Sequence, residues 1–150
     1  MTARATLHAD GGARGNPGPA GIGVVLTDDR GDVVAELGRG IGATTNNVAE
    51  YEALIAGLQL ARDHGVARLR VLLDSKLVVE QMAGRWKIKN DRLRVLAVRA
   101  QKLMRDFEHV SIQHVGRARN ARADALANLG MDEAESDPDD GGDAQGSLLG

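Results

Sequence analysis

Hydrophobic and polar positions alternate with a period of two in three short stretches at the start of the chain. Leu7 and Ala9 alternate against Thr6 and His8, so Ala5–Ala9 reads as a strand. Gly21–Thr27 is apolar enough to be a central strand, Asp28–Asp32 supplies turn residues, and Val33–Ile41 reads as a third strand. Short turns between consecutive strands suit an antiparallel meander. Beyond Thr44 the period changes. Val48, Tyr51, Leu54, Ile55, Leu58 and Ala61 recur at helical spacing, with Thr44–Asn47 as candidate N-caps and Gly65 as a stop. Arg68–Leu73 is a short apolar strand, and Ser75 can cap a brief helix through Met82, closed by Gly84. Asp91–Asp106 is a second long helix facing inward through Leu93, Leu96, Ala97, Ala100, Leu103 and Met104. Val110–Val115 is a fifth strand, and Asn120 caps a final helix through Leu129. The two later strand connections pass through helices, as parallel pairing requires. The expected fold is α/β: a five-stranded mixed sheet, three antiparallel strands then two parallel, flanked by helices.

Composition narrows this picture. Only 2% of residues are aromatic against 43% hydrophobic, so the core must be built from Val, Leu, Ile and Ala. The absence of cysteine excludes a disulfide scaffold, a thiolate metal site and a thiol nucleophile. No signal peptide or apolar run of spanning length is present, so a cytoplasmic protein with no membrane partner is expected. The net charge of −2 hides an asymmetry. Seven of the 21 acids lie in residues 131–150, which hold no Lys or Arg; residues 1–130 therefore carry 19 bases against 14 acids. A basic body fits a polyanionic partner. The acidic, Gly- and Asp-rich stretch from Asp132 to Gly150 is expected to be a disordered tail or linker after a domain spanning 1–131.

The candidate chemistry starts at Asp10, where the first strand is expected to give way to a glycine-rich turn of Gly11, Gly12, Gly15, Pro17 and Gly18. Three further acids stand at comparable points: Glu50 in the first turn of the first long helix, Asp74 at the end of the fourth strand, and Asp124 in the first turn of the last helix. If strands one and four are neighbours, Asp10 and Asp74 sit side by side and the helix starts bring in Glu50 and Asp124. Clustered carboxylates repel unless a cation neutralises them, and oxygen ligands of this kind suit Mg²⁺ or Mn²⁺. Each acid also has a structural role open to it. Asn47–Glu50 fits a capping box, Asp124 complements a helix dipole, and Asp74 could cap the helix begun at Ser75. No Gly-Lys-Ser/Thr follows the glycines, which excludes a phosphate-binding P-loop; Pro17 and Pro19 stand where a dinucleotide fold needs a helix start.

Four stretches carry a family resemblance: Asp10-Gly-Gly-Ala-Arg-Gly-Asn-Pro-Gly-Pro, Thr44-Thr-Asn-Asn-Val-Ala-Glu50, Leu73-Asp-Ser75 and Asn120-Ala-Arg-Ala-Asp124-Ala-Leu-Ala. In this order and spacing they resemble the motifs of type 1 ribonuclease H, over about residues 4–130. The resemblance implies a ribonuclease H-like fold and hydrolysis of the RNA strand of RNA–DNA hybrids with two divalent metal ions, Mg²⁺ or Mn²⁺. It maps the catalytic and metal-binding acids onto Asp10, Glu50, Asp74 and Asp124. It implies contacts to the RNA backbone from Gly11, Gly12 and Asn16, and contacts to the DNA strand from Thr45, Asn46 and Asn47.

Two departures bear on function. The best-known bacterial members carry an extra basic helix and loop after the fourth strand, and Met82–Asp91 is too short for that. Arg85, Trp86, Lys87 and Lys89 would be a reduced substitute touching DNA; the alternative is a Trp that anchors a loop to the core. Those members also have a mobile histidine before the last helix. Its equivalent here is Arg117, as in the archaeal-like branch, with His114 nearer in type but on a strand. The chain further resembles the N-terminal domain of actinobacterial proteins that join ribonuclease H to an acid phosphatase, which would make the acidic tail the start of a linker. The rival readings are a binding module that does not cleave, and another nuclease of the same superfold.

Overall fold

The computed structural model describes residues 3–136. Five strands form one sheet: β1 (Arg4–Ala13), β2 (Gly18–Asp28), β3 (Val33–Thr44), β4 (Arg68–Leu73) and β5 (His109–His114), in the order β3-β2-β1-β4-β5. The β1–β2 and β2–β3 pairs are antiparallel, and the β1–β4 and β4–β5 pairs are parallel. This is the mixed sheet that the hydrophobic pattern predicts. Four helices surround it: α1 (Asn46–Asp63), α2 (Lys76–Met82), α3 (Asp91–Met104) and α4 (Ala121–Ser136). Among the described residues, no helix is long and apolar enough to cross a membrane.

The glycine-rich turn is shorter than expected. β1 continues through Gly11 and Gly12 to Ala13, in register with Ile22, Gly21 and Ala20 of β2, and the reversal is confined to the residues before Gly18. Helix backbone crosses Gly11, and the Met131 side chain lies against Gly12. A Cβ on Gly11 would overlap the carbonyl oxygen of Ala49 in α1. The other face of the sheet uses the same device: a Cβ on Gly23 would overlap the carbonyl of Ala123 in α4, and one on Gly21 that of Ala127. With so few aromatic side chains available, close backbone approach takes the place of bulky side chains in binding helix to sheet.

The main core lies between α1 and the sheet, where Leu7, Ile22, Tyr51, Leu54 and Leu58 are all fully buried. Burial of each large aliphatic chain contributes about 1.5–3 kcal/mol. α3 packs on α1 in a further layer. α4 covers the opposite face over β2, β3 and β1, with Val25, Ala123 and Leu126 as a smaller cluster.

Four local expectations are corrected. Thr45, not Asn47, caps α1: its Oγ1 accepts from the Val48 N–H at 3.3 Å. Glu50 therefore falls in the second turn, and its carboxylate binds elsewhere. Asn120 is not a side-chain cap: it ends a 3-10 turn (Arg117–Asn120) that runs straight into α4, and its buried Nδ2 donates to the Ala9 carbonyl at 2.9 Å. α3 stops at Met104, two residues early. α4 continues past Leu129 to Ser136, so residues 132–136, assigned to the acidic tail, belong to a folded helix. Gly130 does not stop α4, because its missing side chain admits the Arg39 carbonyl of β3. Asp132 and Glu135 then pair with Arg14, both at 2.6 Å, and Glu133 Oε1 accepts from the Gly40 N–H at 2.8 Å. The rest of the expected tail lies outside the described residues.

Candidate active site

Parallel pairing of β1 with β4 ends at Ala9 opposite Leu73. The next residue on each strand is an acid, so Asp10 and Asp74 emerge side by side. Where β4 stops, the Gly11 N–H is left free, and Glu50 Oε1 accepts from it at 2.9 Å. That bond, made across the seat prepared by Gly11, fixes the carboxylate of α1 beside the other two. Ligand oxygens of Asp10, Glu50 and Asp74 lie within 4.8 Å of one another. Asp124, in the first turn of α4, lines the same cleft. All four acids line one cleft of about 510 Å³.

The electrostatics of this cleft are strained. Asp10 is only 8% exposed. Burial first, then the charges of Glu50 and Asp74, then hydrogen bonds with Asp124 and Asp74, push its carboxyl up to about 9. Burial also lifts Glu50, to about 7, against the pull of the Gly11 N–H. A set of hard oxygen ligands that cannot all ionise together is a fitting seat for a divalent cation, whose charge removes the conflict.

The structure brings Gly11, Gly12, Asn46, His114 and Arg117 to the same cleft. Arg117 is 86% exposed, with Nε 4.0 Å from Asp74 Oδ2. Asn16 braces the rim: its Oδ1 accepts from the Asn46 N–H at 2.9 Å, while Asn46 Oδ1 accepts from the Ala13 N–H at 3.3 Å. Thr45 is occupied as the cap, and Asn47 is exposed beside it. The Trp86 segment stands apart from the acids. Trp86 is 43% exposed, so it does not anchor its loop in the core. The anchor is Gln81, whose Oε1 accepts from the Tyr51 hydroxyl at 2.8 Å and whose Nε2 donates to the Lys87 carbonyl at 3.2 Å. Lys87 and Lys89 are exposed, whereas Arg85 is held by Glu80 at 2.6 and 2.9 Å, which leaves it less free for a phosphate than the sequence suggests.

Sequence reasoning missed Asn128 and Met131, which also line the cleft. Asn128 Nδ2 donates to the Asp124 carbonyl at 2.9 Å. The signal was present, since 124, 128 and 131 recur at the spacing of one helix face.

Fold and site define an α/β protein with a carboxylate centre suited to a divalent cation. Residues 8–130 match the family model described as reverse transcriptase-like. The chain is 54% identical over 132 residues to the bifunctional protein Rv2228c of Mycobacterium tuberculosis, covering 87% of this chain and 36% of that one. It is 49% identical over 131 residues to ribonuclease HI of Halobacterium salinarum, covering 87% and 66%. Its structure matches LC11-RNase H1, solved in complex with an RNA/DNA hybrid, with a TM-score of 0.83 and 42% identity over 88% of this chain and 99% of that one. The chain belongs to the ribonuclease H family, type 1. It spans about a third of the length of the mycobacterial relatives it matches. The family depends on divalent metal ions, and the acid cluster matches that need.

Proposed function

We propose that this chain is a metal-dependent endonuclease that hydrolyses the RNA strand of RNA–DNA hybrids. The observation that carries the reading is the convergence of Asp10, Glu50 and Asp74 within 4.8 Å in a largely buried cleft, with Asp124 beside them. That arrangement is costly to fold unless it serves a cation, which argues against a module that only binds. Asp10, Glu50, Asp74 and Asp124 would hold two ions, Mg²⁺ or Mn²⁺. Bound there, such ions activate water and stabilise the leaving oxygen of an in-line displacement at phosphorus.

The chain's own groups do the positioning. Glu50 is oriented by the Gly11 N–H, so one oxygen is committed to the fold and the other is left for a ligand. Asp124 is placed by the close seating of α4 on Gly23. Gly11 and Gly12 line the cleft, where their backbone would meet a ribose and its 2′-hydroxyl, the group that distinguishes RNA from DNA. Asn46, braced by Asn16, and the exposed Asn47 would meet the partner strand, with Trp86, Lys87 and Lys89 further along it. Arg117 would act as a fixed cation toward the scissile phosphate, because a guanidinium does not exchange protons near neutral pH.

The decisive assay offers a labelled hybrid, a single-stranded RNA and a DNA duplex, each with Mg²⁺, Mn²⁺ or chelator. Metal-dependent cleavage confined to the RNA of the hybrid supports the reading; cleavage that persists in excess chelator refutes it. The proposal extends to a phosphatase domain in the full-length protein, supported by the partial coverage of the bifunctional relative. Hydrolysis of a phosphomonoester by the full-length protein checks it.

A further inference from the structure

α4 covers β2, β3 and β1 but leaves the same face of β4 and β5 bare. Alternation along these strands turns Arg4, Thr6 and His8 of β1, Arg68 and Arg70 of β4, and His109 and Ser111 of β5 to that side. Arg4 is in register with Arg68, Thr6 with Arg70, and Arg70 with Ser111. Arg4, Arg68, Arg70 and His109 are exposed, while their neighbours Ala5, Leu69 and Val71 are buried on the far side. Arg4, Thr6, Arg68, Arg70, His109 and Ser111 line a shallow depression of about 330 Å³, together with one acid, Asp29. Arg119, on the 3-10 turn, extends the row toward the acids.

Among the described residues, Arg4, Arg68, Arg70 and Arg119 make no salt bridge, as is true of several other arginines; what sets Arg4, Arg68 and Arg70 apart is that they stand side by side on one bare sheet face. A row of uncompensated arginines on a bare sheet is an anion surface. It lies on the same sheet face as the cleft: Asp10 stands further along β1, Asp74 directly follows β4, and five residues separate Asp74 from Arg68, about 20 Å at the usual rise.

We propose that this sheet face carries the single-stranded continuation of the RNA strand beyond the hybrid held in the cleft. The inference rests on the proposed hybrid cleavage. RNA is the occupant because the surface begins at the acids that would receive the RNA strand, whereas the groups assigned to DNA, Asn47 and the Trp86 segment, lie elsewhere. Thr6 and Ser111 offer hydroxyls to a 2′-OH, and the row bears no aromatic ring for stacking, so the contacts are with the backbone and independent of sequence.

The test compares a short blunt hybrid with the same hybrid carrying a six-nucleotide single-stranded flank, RNA or DNA, on either end of the RNA strand. Binding is measured with Asp10→Asn protein in Mg²⁺, and cleavage with otherwise wild-type protein. The variant is Arg4→Ala/Arg68→Ala/Arg70→Ala, whose changes are all on the surface; its melting curve reports folding. An RNA flank on one end should tighten Kd at least fivefold, and the triple variant should lose that gain with the salt slope reduced by about 2, at ~0.7 per phosphate contact on a single strand. Cleavage of the blunt hybrid should be unchanged in the variant. No gain from any flank, an equal gain from RNA and DNA, or an equal loss on blunt and flanked hybrids would overturn the proposal. Failure of wild-type protein to cleave the blunt hybrid would instead strike the parent reading.

Discussion

Replacement of Asp10 by Asn separates what the site costs from what it does. In the cation-free protein the folded carboxyl holds its proton up to about 9, against an ordinary value of 3.8. At pH 7 the unfolded chain has released that proton, so folding must take it up about three units above its ordinary value. At ~1.4 kcal/mol per unit, this costs about 4 kcal/mol of stability. Asn presents a neutral group with no proton to take up. Its altered hydrogen bonds with Asp74 and Asp124 return part of the gain, leaving about 2 kcal/mol. The sign follows from a raised folded value: stability is fully present below pH 4 and declines as pH rises toward 9. The variant should therefore be less stable than wild type near pH 4, where only its altered hydrogen bonds count, overtake it as pH rises, and melt about 6 °C higher at pH 7 in chelator. Mg²⁺ should stabilise wild type and have much less effect on the variant, which should not turn over. Thermal melts across pH 4–9, with chelator and with Mg²⁺, read all of this. A variant less stable than wild type at pH 7 in chelator, or equally stabilised by Mg²⁺, would refute the claim that the four acids are assembled against their own repulsion for a cation.

Three further outcomes are expected. Gly11→Ala should destabilise by ~3 kcal/mol or more, because its Cβ meets the backbone carbonyl of Ala49, and should reduce cleavage by moving Glu50; chemical denaturation and kcat check the two effects. Arg117→Ala should lower kcat about tenfold, equal to ~1.4 kcal/mol of transition-state stabilisation, and Arg117→His should introduce a limb near pH 6–7 in the pH–rate profile; a near-normal Ala variant would make His114 the next residue to test. Truncation after Ser136 should leave the melting temperature unchanged, whereas truncation after Met131 should lower it by removing the partners of Arg14 and Gly40.

Much of this protein is written locally. Period-two and period-3.6 patterns suffice for the five strands and four helices, because each element buries one face and its spacing records which. The topology followed from loop lengths, since parallel strands need helical crossovers. The four acids were legible because the pattern set Asp10 and Asp74 on neighbouring strands and Glu50 and Asp124 near the beginnings of helices, although β1 runs on past Asp10 and Glu50 lies in the second turn of α1. What depended on contact between distant segments was not legible. Gly11 and Gly12 read as turn signals, and only the folded chain shows that they, with Gly130, are seats for Ala49, Met131 and Arg39. For the same reason α4 runs on to Ser136, and Asp132 and Glu135 are ordered by Arg14, some 120 residues away. Asn120 looked like a cap and is a tie to Ala9; Arg85 looked free and is held by Glu80. Sequence spacing states which residues can share a face. Which backbone approaches that face, and which charges are left unpaired, is decided only when the chain closes on itself.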